Sequence, residues 1–124
     1  MREVFTEGGE FEVKAAYSRA VRIGQHVAVS GTAARGRGDA YAQATEALER
    51  ALAAALELGA RREDVLRTRL LLAPGCDWEP VIAAHREAFE GVAPANTTYY
   101  VGGFIPEGVL VEVELDAIVL RAGV

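Results

Sequence analysis

The sequence predicts an α+β fold, a two-layer sandwich in which a mixed β-sheet carries two helices on one face. Two segments repeat apolar residues at helical spacing, while most of the remainder alternates or runs apolar in short stretches, as strands do. The elements follow the order strands, helix, strand, helix, strands without an internal linker or repeat, so the 124 residues are read as one domain, 1–124. The longer helix presents an alanine-rich face, small enough to lie flat on a sheet.

Phe11–Lys14 reads as an edge strand, and Ser18–Ile23 and His26–Ser30 flank Gly24-Gln25, the two-residue spacing of a tight hairpin. Asp39 is the expected N-cap of a helix over Ala40–Leu58 that stops at Gly59, with Ala44, Ala47, Leu48, Ala51, Leu52, Ala55 and Leu56 as its core stripe. Asp64–Ala73 holds an apolar, partly alternating strand closed by Pro74-Gly75. The second helix starts near Asp77 with Pro80 in its first turn, where a missing N–H is harmless, and carries Val81, Ala84, His85, Ala88 and Phe89 until Gly91. Thr97–Val101 and Leu110–Leu120 bracket a Gly- and Pro-containing loop and are expected to form a second hairpin. Val27, Val29, Leu70, Leu72, Val111, Val113 and Leu115 exceed what one sheet face needs, which points to a homo-oligomer that hides the other face.

Composition excludes several classes. Thirteen Lys and Arg against 18 Asp and Glu give a net charge of −5, the wrong sign for a phosphate-neutralising surface, so nucleic acid is not the expected partner. No apolar run reaches the ~18–20 residues that span a bilayer, and the N-terminus lacks a basic start followed by an apolar stretch, so a cytoplasmic protein without membrane contact is expected. A single cysteine, Cys76, cannot form an internal disulfide, and with two histidines no metal site is expected; neither is a cofactor.

The last strand carries the clearest pattern. Glu112, Glu114 and Asp116 share one face, opposite Val111, Val113, Leu115, Ala117 and Val119. Such a face is solvated, or supplies a general acid or base with its other acids tied to Arg67 or Arg69 across the sheet, or, as the least favoured reading, holds a metal through carboxylates alone. His85 lies on an apolar helix stripe, where packing is the ordinary role. Cys76 has no cationic neighbour to activate it. The run Ser30–Asp39 is glycine-rich but lacks the Lys-Ser/Thr ending of a phosphate loop.

Ala16-Tyr17-Ser18-Arg19-Ala20-Val21, Val27-Ala28-Val29-Ser30-Gly31, Gln43 at the head of the long helix, Asp64–Arg69, Pro94-Ala95-Asn96-Thr97-Thr98 and Val111-Glu112-Val113-Glu114 together resemble the Rid family, also called YjgF-like or reactive-intermediate deaminases. The resemblance runs from about Ala15 to Val119. It implies a chorismate-mutase-like fold, a homotrimer with a central barrel, and ligand clefts between subunits. Better-known members hydrolyse enamines and imines to 2-oxo acids and ammonia, using a Pro-Ala-Arg arginine that forks onto the substrate carboxylate and a glutamate on the last strand. By this resemblance Glu114 is the glutamate, Tyr17 the cleft tyrosine and Ser30-Gly31 the Ser-Gly pair. The arginine position holds Asn96, which offers amide donors without charge or fork, and a cleft asparagine on the second helix is replaced by Ile82.

Removing one partner of a partly buried charged pair costs about 2–5 kcal/mol, so a standard 2-imino acid is expected to be a poor substrate, partly rescued by Asn96→Arg. The expected function is hydrolysis of a C=N or similarly labile bond in a small molecule, with Glu114 and Asn96 catalytic and Tyr17, Ser30, Gly31 and His85 binding the substrate. Arg19 and Arg69 are the candidates for a replacement clamp. The alternative is a trimer that binds a metabolite without turning it over. A ribonuclease or translation inhibitor is disfavoured by the acidic charge and the lack of a basic, aromatic-laced face.

Overall fold

The computed structural model describes residues 1–120, so residues 121–124 of the expected domain lie outside the described residues. Six strands, β1 (Arg2–Phe5), β2 (Ala20–Ile23), β3 (His26–Thr32), β4 (Val65–Leu72), β5 (Ala95–Tyr100) and β6 (Val111–Ile118), form one sheet in the order β1-β2-β3-β6-β4-β5. Three α-helices accompany them: α1 (Glu10–Ala15), α2 (Ala40–Glu57) and α3 (Trp78–Phe89). Among the described residues only β4 and β5 pair in parallel, joined by α3; the other pairs are antiparallel. This is the mixed α+β sandwich that the sequence predicts.

Local chemistry sets the helix ends. The Asp39 carboxylate accepts from the Ala42 N–H at 2.9 Å and that of Asp77 from the Glu79 N–H at 3.1 Å, each satisfying an orphan donor of a first turn. After α2 the chain turns through Gly59 at φ +92, where a Cβ would meet the Arg22 guanidinium at 2.8 Å. Arg22 itself donates to the Leu58 carbonyl at 2.8 Å, so the hairpin of β2 and β3 anchors the end of α2.

The core lies between α2, α3 and the sheet. Ala44, Ala47, Leu48, Ala51 and Ala55 of α2 are buried, as expected, whereas Leu56 is 61% exposed and Leu52 only partly covered. Gln43 joins the buried face unexpectedly. Its amide donates to the Gly38 and Gly108 carbonyls and accepts from the Leu110 N–H, tying the start of α2 to the loop before β6.

Three expectations need correction. Phe11–Lys14 is helical: its polar–apolar alternation imitates a strand, but Arg2–Phe5 already pairs with β2 at that edge, and the Glu12 carboxylate folds back onto the Glu7 N–H at 3.1 Å. Thr97–Val101 and Leu110–Leu120 form no hairpin. β6, with a fully apolar face, lies in the sheet interior between β3 and β4, while the polar Ala-Asn-Thr-Thr-Tyr-Tyr of β5 takes the outer edge. Finally, Val27, Val29, Leu70, Leu72, Val111, Val113 and Leu115 all belong to the one core beneath the helices, each at most 5% exposed. The other face carries Arg67, Arg69, Glu112, Glu114 and Asp116, so the apolar surplus demands no second cover, and a trimer rests on the family resemblance.

Candidate functional site

A bulge builds the site. Between β3 and β6, Val29 stands opposite Leu115 but Thr32 opposite Val113, so β3 carries one extra residue in the Ser30-Gly31 stretch. The bulge frees carbonyls from the ladder, and the Arg19 guanidinium takes them. Its Nη2 donates to Gly31 O at 2.6 Å, to Thr32 Oγ1 at 3.1 Å and to Ser30 O at 3.2 Å. Arg19 is only 9% exposed, with its guanidinium carbon 5.8 Å from the centre of the Tyr17 ring.

Gly31 leaves room for the next component. A Cβ there would sit 2.6 Å from Oε1 of Glu112, so only glycine lets this carboxyl lie against the β3 backbone. Tyr17, Arg19, Gly31 and Glu112 line one cavity of about 520 Å³, walled by Phe104 and Ile105 of the loop after β5. Burial pushes the Glu112 carboxyl above the usual carboxylate range; Arg19 pulls it back in part, and Glu114 adds repulsion. A carboxyl of this kind holds its proton to higher pH than a solvated one, the direction that suits a group giving and taking protons.

Glu114, the glutamate expected in the cleft, does not line this cavity. It lies 3.6 Å from the Arg69 guanidinium, which also stands 3.9 Å from Asp116, so Glu114 belongs to an ion-pair row on the sheet surface. The acid–arginine tie across the sheet thus exists, with Glu112 left out of it.

Asn96 and His85 lie elsewhere. Asn96 Nδ2 donates to Thr68 Oγ1 at 3.0 Å, Thr98 Oγ1 donates to Asn96 Oδ1 at 2.8 Å, and Thr68 Oγ1 lies 2.7 Å from His85 Nε2. Thr68 is fully buried, so its proton needs an acceptor; Nε2 supplies one, which assigns the imidazole proton to Nδ1. Burial lowers the His85 pKa and favours that neutral ring, which packs 4.9 Å from Phe89. This chain of bonds occupies the helix side of the sheet, opposite Glu112. Asn96 borders a separate pocket with Trp78, Ile82 and Tyr100, and His85 a groove with Phe89 and Pro94. Ser30 is structural within the chain, donating to Ser18 O at 2.6 Å.

Of the residues expected at the site, Tyr17 and Gly31 are therefore brought together; Glu114, Asn96, His85 and Ser30 do not line their cavity. Glu112 is the added acid, and the β3 bulge is what distinguishes it from its neighbour two residues on. Among the described residues no cluster of three or more His, Cys, Asp or Glu is placed to hold a metal, and no helix is long and apolar enough to cross a membrane. Cys76 is buried and its thiol is pushed up, chiefly by burial and further by Asp77.

Comparison with known proteins gives the same frame. A crystal structure of Rv2704 from Mycobacterium tuberculosis, described as a member of the YjgF/YER057c/UK114 family, superposes with a TM-score of 0.91 at 40% identity, covering 96% of this chain and 100% of that one. An uncharacterised protein of known structure from Pseudomonas aeruginosa has a TM-score of 0.83 at 25% identity, over 96% of this chain and 99% of its own. An uncharacterised protein of Streptomyces coelicolor is 40% identical over 116 residues, 89% of this chain and 87% of that protein. The family model described as Endoribonuclease L-PSP matches residues 8–119, and the chain belongs to this family, the YjgF-like proteins.

Proposed function

We propose that the chain is a small-molecule hydrolase of C=N bonds, acting on an imine or its enamine tautomer in the cavity of Tyr17, Gly31 and Glu112. The observation that carries this reading is Glu112, a half-buried carboxyl with a raised pKa, pressed against the Gly31 backbone in a cavity of about 520 Å³. In the proposed cycle the protonated Glu112 gives its proton to the imine nitrogen, and water adds to the carbon while returning a proton to the carboxylate. The resulting carbinolamine receives a proton on nitrogen from Glu112; the C–N bond breaks, ammonia leaves, and the hydroxyl proton returns to Glu112 as the carbonyl forms. One water is consumed, and the acid ends as it began.

Family membership is consistent with this reading, and a net charge of −5 argues against cleavage of RNA. We further propose a cytoplasmic homotrimer in which the Asn96 pocket on edge strand β5 faces a neighbouring subunit. Exposed Tyr99 and Tyr100 on that edge favour it. Sedimentation is then expected to give about three times the 13.2 kDa chain mass; a 13.2 kDa species contradicts the trimer.

The hydrolase reading is tested by ammonia release from 2-aminoacrylate generated in situ. Faster release than without protein, lost in Glu112→Gln, is expected. Binding without any acceleration overturns the hydrolase reading in favour of a metabolite-binding trimer.

A further inference from the structure

The β3 bulge is a common mount for a cation and a carboxyl. The Ser30 N–H donates to the Arg19 carbonyl at 2.9 Å, which sets the start of β2 beside the bulge. From there the Arg19 side chain turns back onto the same stretch, its Nη2 held by Ser30 O, Gly31 O and Thr32 Oγ1 at 3.2, 2.6 and 3.1 Å. A guanidinium gripped by three oxygens and only 9% exposed does not swing as a surface arginine does. The carboxyl of Glu112 lies against Gly31 of that stretch. Charge and carboxyl are thus fixed to one piece of backbone, and both line the cavity.

The other neighbours of Glu112 offer it no free cation among the described residues. β4 sets the uncharged Leu71 opposite it, β3 the uncharged Gly31, and Tyr17 brings an aromatic ring. Arg50, the second arginine at the cavity, is committed to the Glu7 carboxylate at 2.7 Å and to Ala33 O. Burial raises the Glu112 pKa, Arg19 lowers it, and Glu114, two residues on in β6, raises it again. Without the arginine, a half-buried carboxyl beside a second acid would hold on to its proton. The proposed cycle asks it to give that proton up and take it back.

We infer that Arg19 is the positioning residue for Glu112: it locks the β3 bulge against which the carboxyl rests, and its fixed charge favours release of the carboxyl proton to the substrate. The inference rests on Glu112 being the acid–base group, as proposed above, and adds what sets the pH range in which that group works. Arg19 acts here through Glu112 and needs no contact with the substrate.

The test follows the Glu112 side-chain carboxyl carbon by NMR through a pH titration at low salt, its signal assigned by its loss in Glu112→Gln. In the native protein the Arg19 Nε–H signal is expected to move with the same midpoint, and to lose that step in Glu112→Gln. An Arg19 signal that ignores the midpoint overturns the assignment. Arg19→Gln is expected to raise the midpoint by about half a pH unit or more, and Arg19→Lys, which keeps the charge, by clearly less. Equal rises in the two variants, or none in folded Arg19→Gln, overturn the assignment; if Arg19→Gln fails to fold, the native titration decides. With 2-aminoacrylate as substrate, the pH above which kcat/KM falls is expected to rise in Arg19→Gln by the same amount as the midpoint, a response that a merely structural arginine would not give. A moved midpoint without imine turnover overturns the hydrolase reading alone. Turnover with the same pH profile in the native protein and Arg19→Gln overturns Arg19 alone.

Discussion

The two faces of the sheet treat their polar side chains in opposite ways. On the helix side, Thr98, Asn96, Thr68 and His85 bond to one another in a chain, so a residue type that suggests chemistry is committed to architecture. On the other side, Arg19 and Glu112 share a cavity and neither is neutralised by an ion pair among the described residues. The difference separates groups that hold the fold from groups that await a ligand. Buried polar atoms with partners stabilise; the same atoms left open confer affinity for whatever completes them.

The largest expected effect separates two glutamates on one strand. Glu112→Gln is expected to lower imine turnover about 10²-fold or more, the ordinary size of a general acid–base contribution, while Glu114→Gln, which breaks only a surface ion pair, stays within about three-fold. Steady-state rates of the two variants decide this, and equal losses erase the distinction between cavity and surface acid.

Next in size is Gly31→Ala. The added Cβ displaces the Glu112 carboxyl from a position that would be 2.6 Å away. Because the far end of a glutamate side chain can swing, the expected result is a rate loss on the order of ten-fold with a melting temperature near the native one. A large loss of stability with native turnover would assign Gly31 to folding alone.

On the opposite face, Thr68→Val removes the hydroxyl that Asn96 and His85 share. Unfolding by denaturant is expected to show about 1–3 kcal/mol of destabilisation, with imine turnover at a temperature where the protein is folded unchanged. A loss of turnover in the folded variant instead would move the ligand to the Asn96 side.

The smallest effect is in the pH dependence of stability, where the two faces act with opposite sign. His85 has a lowered folded pKa, so the folded state binds fewer protons and loses stability as pH falls below the unfolded value of about 6.5. Glu112 has a raised one, so its favourable contribution is present below about 4.3 and lost as pH rises through the folded value. Glu112→Gln is therefore expected to flatten the loss on raising pH from the acid side and to leave the His85-dependent rise; denaturation midpoints from about pH 4 to 8 check both.

Much of the fold is legible in the sequence, because its signals are local. The Asp39 cap, the start of the second helix near Asp77, the Gly24-Gln25 turn, the Gly59 stop and the alternation of the last strand from Val111 are each set within a few residues, and each appears where expected. What is not legible depends on pairing. Phe11–Lys14 alternates like a strand, yet another segment occupies its edge; the apolar face of β6 suits the sheet interior, yet nothing nearby in sequence says that β3 and β4 flank it. The site follows the same rule. Tyr17 and Gly31 are recovered from the family pattern, whereas the distinction between Glu112 and Glu114 requires the β3 bulge, and the place of Arg19 requires knowing which carbonyls that bulge exposes.

The most direct test of the division between the faces is amide chemical-shift mapping of the native protein titrated with pyruvate, the product expected from 2-aminoacrylate. The expected perturbations centre on Tyr17, Arg19, Gly31 and Glu112. Shifts that centre on Thr68, His85 and Asn96 while leaving Arg19 and Gly31 unmoved would contradict the assignment of the ligand to the Arg19 cavity.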